Sequence, residues 1–201
     1  MNLTSLSHKR IRRFSAVTLV GVMVTLTATA CGETKVAQCN KLIEVINKGE
    51  EIDQKFEAEA QALSNFDNAS NFAEFKDAAS AMATAFGSIA DDVDTYLEEV
   101  NAVELSDEEL ATQQEKYAEQ GVTFSGLIRS ASDLFAQVSE LDSDDNGDPT
   151  PDSSQQLMDL APGFEDFSRN VETSSQEIDT VITNINTYCG VTPEEGGSDE
   201  E

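Results

Sequence analysis

From Lys35 onward the apolar residues recur at helical spacing in four stretches, and none alternates in the two-residue rhythm of a strand. The second stretch is the most regular: Phe72, Phe75, Ala79, Met82, Phe86, Ile89, Val93, Tyr96 and Val100 follow in alternating steps of three and four. A heptad seam of this kind lets helices pack at shallow angles. Asn71, with Glu74 three residues on, predicts the cap at its start. The first stretch runs through Val36, Cys39, Ile43, Ile46, Ile52, Phe56, Ala60 and Leu63, and Gly49 predicts a break or kink in its middle. The third opens on Ser106-Asp107-Glu108-Glu109, a capping-box pattern with acids at the positive end of the helix dipole. It continues through Leu110, Tyr117, Phe124, Leu127, Ala131, Leu134, Val138 and Leu141. The fourth follows Pro151 and Asp152 with Leu157, Leu160, Phe164, Phe167, Val171, Ile178, Val181, Ile185 and Tyr188. Pro162-Gly163 interrupts it, which predicts a kink or a division into two helices.

Segments 64–70, 102–105 and 142–151 link these stretches. Short links make neighbouring helices antiparallel, so the expected fold is all-α: an antiparallel up-down-up-down four-helix bundle over residues 35–189. Helices of about 30 residues would make it about 45 Å long. In that topology the first helix begins, and the fourth ends, at the same end of the bundle. Cys39 and Cys189 therefore meet, and a Cys39–Cys189 disulfide is expected, with two separately buried thiols as the alternative. Residues 190–201 are acidic, have nothing to bury and are expected to be a disordered tail.

The chain ahead of the bundle has a different composition. Residues 1–15 carry Lys9, Arg10, Arg12 and Arg13 and no acid; an apolar run from Ala16 to Leu26 follows, then Thr27-Ala28-Thr29-Ala30 before Cys31. This order predicts a secretory signal peptide over residues 1–30, removed on export. Its apolar run falls well short of the roughly 20 residues that a spanning helix needs. Ala28-Thr29-Ala30-Cys31-Gly32 resembles the lipobox of bacterial lipoproteins, with Ala28 where that family usually has Leu. The resemblance implies a diacylated Cys31, residues 31–34 as a linker, and attachment to the outer side of the inner membrane or to the outer membrane. Ordinary cleavage after Ala30, leaving Cys31 a free thiol, is the alternative. Segment Lys35-Val36-Ala37-Gln38-Cys39-Asn40-Lys41-Leu42-Ile43 is similar to uncharacterised helical-bundle lipoproteins of cyanobacteria, a resemblance that brings no activity with it.

Charge narrows the partners. Four of the 12 basic residues lie in residues 1–30 and all 39 acids lie beyond, so the processed chain carries 8 basic against 39 acidic side chains, a net of −31. Such a surface repels nucleic acid and anionic headgroups, and suits cations or basic partners.

Candidate chemistry is sparse. The single histidine, His8, leaves with the signal, which removes imidazole-based nucleophile activation and His-ligated metal centres. No phosphate-cradling glycine loop is present, and the chain reads as a non-enzyme. One segment stands out: Asp142-Ser143-Asp144-Asp145-Asn146-Gly147-Asp148 matches the start of an EF-hand calcium loop, with Asp142, Asp144, Asn146 and Asp148 as candidate Ca2+ ligands. Pro149 at position 8 and Ser153 in place of the bidentate Glu at position 12 depart from that pattern. A plain acidic turn is the competing expectation. Ser174-Ser175 and Asn184-Asn186 read as exposed helix positions, with a mildly polar interior as the alternative, and Tyr96, Tyr117 and Tyr188 as core-edge residues with solvated hydroxyls, not a ligand box. Together these features predict a membrane-anchored, non-enzymatic envelope lipoprotein acting as an interaction or structural module. The alternative is a small-ligand or Ca2+-binding bundle.

Overall fold

The computed structural model describes residues 33–52, 54–56, 58 and 69–191. The expected signal peptide over residues 1–30, Cys31, Ala60 and Leu63 of the first stretch, most of the 64–70 link, and the expected tail from residue 192 lie outside the described residues. Among the described residues, one short helix and three long ones make the fold: α1 Lys35–Asn47, α2 Phe72–Asn101, α3 Glu108–Ser139 and α4 Pro151–Cys189. The chain is helical again over residues 49–52 and 54–56, beyond a turn at Lys48. The protein is an all-α bundle. The contacts run in antiparallel register: Lys48 pairs with Glu99 and Lys55 with Asp92, while Lys76 at the start of α2 donates to the carbonyl of Leu141 just beyond α3.

Side chains at the helix starts explain where the helices begin. Thr34, Asn71, Asp107 and Thr150 each accept a hydrogen bond from a backbone N–H of the first turn, satisfying groups with no partner inside the helix. The cap of α3 is Asp107, one residue beyond the Ser106 of the sequence pattern. Gln38 is the reason: its Oε1 accepts from the Ser106 amide at 2.7 Å and its Nε2 donates to the Ser106 hydroxyl at 2.9 Å.

The break expected near Gly49 falls at Lys48. Tyr96 explains it, because its hydroxyl donates to the carbonyl of Ile46 at 3.1 Å. A Cβ on residue 49 would stand 3.3 Å from that hydroxyl, so glycine gives the ring room to approach. Pro162, by contrast, does not divide the fourth helix, which is continuous from Pro151 to Cys189. Pro162 removes one i→i−4 bond, leaving the carbonyl of Met158 without that donor. Packing holds the segment together: Gly163 lies against Leu134, and the ring of Phe164 stands 5.0 Å from that of Phe135. Gly190, in the left-handed conformation (φ 73°), closes α4, and the Val191 amide donates to the Asn186 carbonyl at 2.9 Å. Gly190 and Val191, within the expected tail, thus take part in closing this helix.

Two apolar clusters fill the bundle. The larger joins Met82, Phe86 and Ile89 of α2 to Ile128, Phe135 and Val138 of α3. The smaller joins Leu42, Ile43 and Ile46 of α1 to Val100, Leu110, Tyr117, Val181 and Ile185.

Candidate functional site

The smaller cluster ends in a network that ties all four helices at one end. Cys39 and Cys189 form a disulfide with Cα atoms 5.7 Å apart. Gln38, only 3% exposed, bridges α1 to the α2–α3 connection. Besides its contacts to Ser106, its Oε1 accepts from the Asp107 amide at 2.9 Å and its Nε2 donates to the Glu33 carbonyl at 3.0 Å. Every polar group of that amide is used, as burial requires. Replacing Gln38 with Leu keeps the volume but orphans two backbone amides, which costs about 1–3 kcal/mol per unmet group. A loss of about 2–3 kcal/mol in urea unfolding is expected, and a loss under about 0.5 kcal/mol would contradict this role.

Asp107 stands at the centre of the same end. Its carboxylate accepts from the amides of Glu109 and Leu110 and from the Tyr188 hydroxyl at 3.0 Å. The Lys35 ammonium lies 3.4 Å from the centre of the Tyr188 ring. The Leu110 amide, then the Tyr188 hydroxyl, the Glu109 amide and the Lys35 charge, hold the Asp107 carboxyl below its ordinary value of 3.8. The hydrogen bond to Asp107 in turn raises the Tyr188 phenol above 10.0. A depressed carboxyl contributes stability that is present above its unfolded value and lost as pH falls through its folded one. Asp107→Asn, which still caps the helix, should therefore melt below the natural chain at neutral pH. The gap should close as the pH drops below 3.8. Thermal melting of both proteins across that range checks this; a gap constant with pH would refute it.

At the other end, residues 142–150 form a tight turn between α3 and α4. Ser143 and Pro149 pair as an antiparallel bridge, and Gly147 takes the positive φ of 84° that the turn needs. Asp144 holds it together: Oδ1 accepts from the amides of Asn146 at 2.8 Å and Asp148 at 3.0 Å. Those amides, that of Asp148 first, lower the Asp144 carboxyl from its ordinary value. The four candidate ligands thus share one exposed loop, with the Asp144 carboxylate occupied by amides and the Asp142 carbonyl by the Ser153 hydroxyl at 2.9 Å. Among the described residues, no group of three or more His, Cys, Asp or Glu side chains is arranged to hold a metal ion. The geometry is that of an aspartate-capped turn.

Tyr96 and Tyr188 are half-buried at the edge of the core, as expected, and Tyr117 is buried. The Tyr96 and Tyr117 hydroxyls bond each other at 2.8 Å, and that of Tyr188 bonds Asp107. Ser174 is 3% exposed, and among the described residues its hydroxyl has no hydrogen-bond partner. Sequence periodicity also passes over Gln38, whose only signal was a polar residue beside Cys39 on an otherwise apolar helix face. Among the described residues, no helix is long and apolar enough to cross a membrane. Comparison with protein-family models, with curated proteins and with solved structures finds no match for this chain.

Proposed function

We propose that the chain is a lipid-anchored, non-enzymatic envelope protein that presents its helical bundle to a protein partner. The Cys39–Cys189 disulfide carries the reading, because such bonds persist in oxidising compartments outside the cytosol. It supports the export implied by the signal pattern over residues 1–30 and the lipobox-like sequence before Cys31. The clasp lies eight residues beyond Cys31, so lipid on that cysteine would tether the bundle by its fastened end. The acidic turn at 142–150 would then face away from the bilayer. Interaction, rather than catalysis, is supported by the absence of histidine beyond His8 and by the placement of Asp107, Tyr188 and Gln38 in structural roles.

Mass spectrometry of the protein extracted from membranes tests this. The expected result is an N-terminus at Cys31 bearing a diacylglyceryl group, with Cys31→Ser releasing the protein from the membrane fraction. An unmodified Cys31 thiol, or a chain that begins at Met1, would overturn the proposal.

A further inference from the structure

Among the described residues, three buried side-chain oxygens have no hydrogen-bond partner: Gln113 Oε1 and Gln120 Oε1 on α3, and Ser174 Oγ on α4. Folded proteins keep such groups few, so three in one chain call for a reason. All three lie in the same half of the α3–α4 seam. The two glutamines fall into the three-and-four spacing of Leu110, Tyr117, Phe124 and Leu127, and Ser174 into that of Phe167, Val171, Ile178 and Val181. Contacts between the helices bracket the stretch on either side. Asp107 meets Tyr188 at the clasped end, and Phe135 meets Phe164 nearer the 142–150 turn.

The hold of α4 on the bundle is thin between those contacts. From residue 168 to residue 180 only Ser174 is buried, and the apolar Val171 and Ile178 are half-buried. Both ends of the stretch are fixed. The disulfide and the Tyr188–Asp107 bond hold one, and the rings of Phe164 and Phe167, against Phe135 and Phe86, hold the other. Little apolar surface is lost if the middle lifts, and each unmet oxygen gains water, which removes the penalty of burying it unpaired.

We infer that α4 parts from α3 between Phe167 and Val181 as a local opening, bowing out to admit water to Gln113, Gln120 and Ser174 while its two ends stay in place. This opening is a property of the bundle and is independent of lipid on Cys31. A helical stretch released from its packing is marginal in water, so its amides exchange through the opening and not only through global unfolding.

Hydrogen exchange of the full chain carrying Cys31→Ser, followed by mass spectrometry in rising sub-denaturing urea, tests this. Amides of residues 170–180 should exchange about tenfold or more faster, relative to the free peptide, than those of residues 82–90 in α2. Their rate should also respond weakly to urea, because a local opening exposes little surface, whereas that of residues 82–90 should rise steeply. Gln120→Leu with Ser174→Ala removes two unmet groups and should slow exchange over 170–180 by about tenfold. Gln113 is left in place, because its nitrogen donates to Glu109 at 2.9 Å. Ser153→Ala is the contrast: Ser153 is equally buried, but its hydroxyl donates to the Asp142 carbonyl at 2.9 Å, so its loss should speed exchange at the start of α4. Exchange over 170–180 as slow as over 82–90, or as steep in urea, would overturn the inference, since the stretch would then open only with the whole bundle. So would a Gln120→Leu and Ser174→Ala chain whose exchange there is unchanged or faster, or a Ser153→Ala chain slowed as much. The urea response of the parent decides the matter even if the double variant does not fold.

Discussion

Replacing Cys189 with Ser is expected to lower the free energy of unfolding by about 4–5 kcal/mol, the largest loss from any single change outside the core. The bond joins residues 150 apart, so it closes nearly the whole bundle into one loop. Chain-entropy treatment assigns closure of that length about 5 kcal/mol, because an open unfolded chain gains the most freedom where the loop is longest. The local structure adds to the effect. α1 is only 13 residues long, and its first turns are held by Gln38 and by the disulfide. Without the bond, α1 and the last turn of α4 should fray together, and Asp107 should lose part of its hold on Tyr188. Urea unfolding of the Cys31→Ser chain with and without Cys189→Ser measures the difference. Hydrogen exchange should locate the loosening in α1 and the last turns of α4. A difference under about 1 kcal/mol, or two free thiols in the denatured parent, would refute this account.

The disulfide was legible because it follows from topology alone: four helices joined by short links place the first and last at one end. The heptad of α2 was legible for a similar reason, since Ala79, Met82, Phe86, Ile89, Val93 and Val100 are all buried. The buried face of α3 was read less well. Ile128 and Phe135 are buried there, whereas Leu127 and Leu134 are only half-buried. The face turns because α3 approaches α2 through small residues. A Cβ on Gly121 would stand 2.4 Å from Leu97 Cδ2, and the Ser125 hydroxyl donates to the Asp94 carboxylate at 2.6 Å. Close approach at Gly and Ser carries no hydrophobic signal, so periodicity assigns the face to the nearest leucines instead. Ser174, for which a polar interior was the second reading, and the hydroxyl pairing of Tyr96 with Tyr117 show the same limit, because a polar side chain shows its burial and partners only once its neighbours are in place. The candidate site divides likewise. The 142–148 turn follows from its own residues, but the direction of the Asp144 carboxylate does not.

Phe86→Ala should be the most damaging substitution in the core, costing about 3–5 kcal/mol. Phe86 is 3% exposed on α2, and its ring meets one aromatic ring from each of α3, α4 and the helical stretch over residues 54–56. It stacks on Phe135 of α3 at 5.6 Å, meets Phe167 of α4 edge-on at 6.0 Å, and tilts against Phe56, in the helical residues 54–56, at 5.9 Å. Truncation there opens a void walled by three rings on three helices. None can move in without dragging its helix, so the site relaxes little and the cavity cost adds to the lost transfer energy. Phe164→Ala is the useful contrast. Phe164 is half-buried and its ring contacts that of Phe135, so its removal should cost about 2 kcal/mol, near the transfer energy of a partly buried ring. In a double-mutant cycle, Phe86 and Phe135 should couple by about 1 kcal/mol, the surplus of a stacked pair over its buried area. Denaturant unfolding of the four proteins in that cycle gives the coupling directly. If Phe86→Ala cost no more than Phe164→Ala, the helices would not be joined through this ring, and the bundle would be held chiefly by its clasped end.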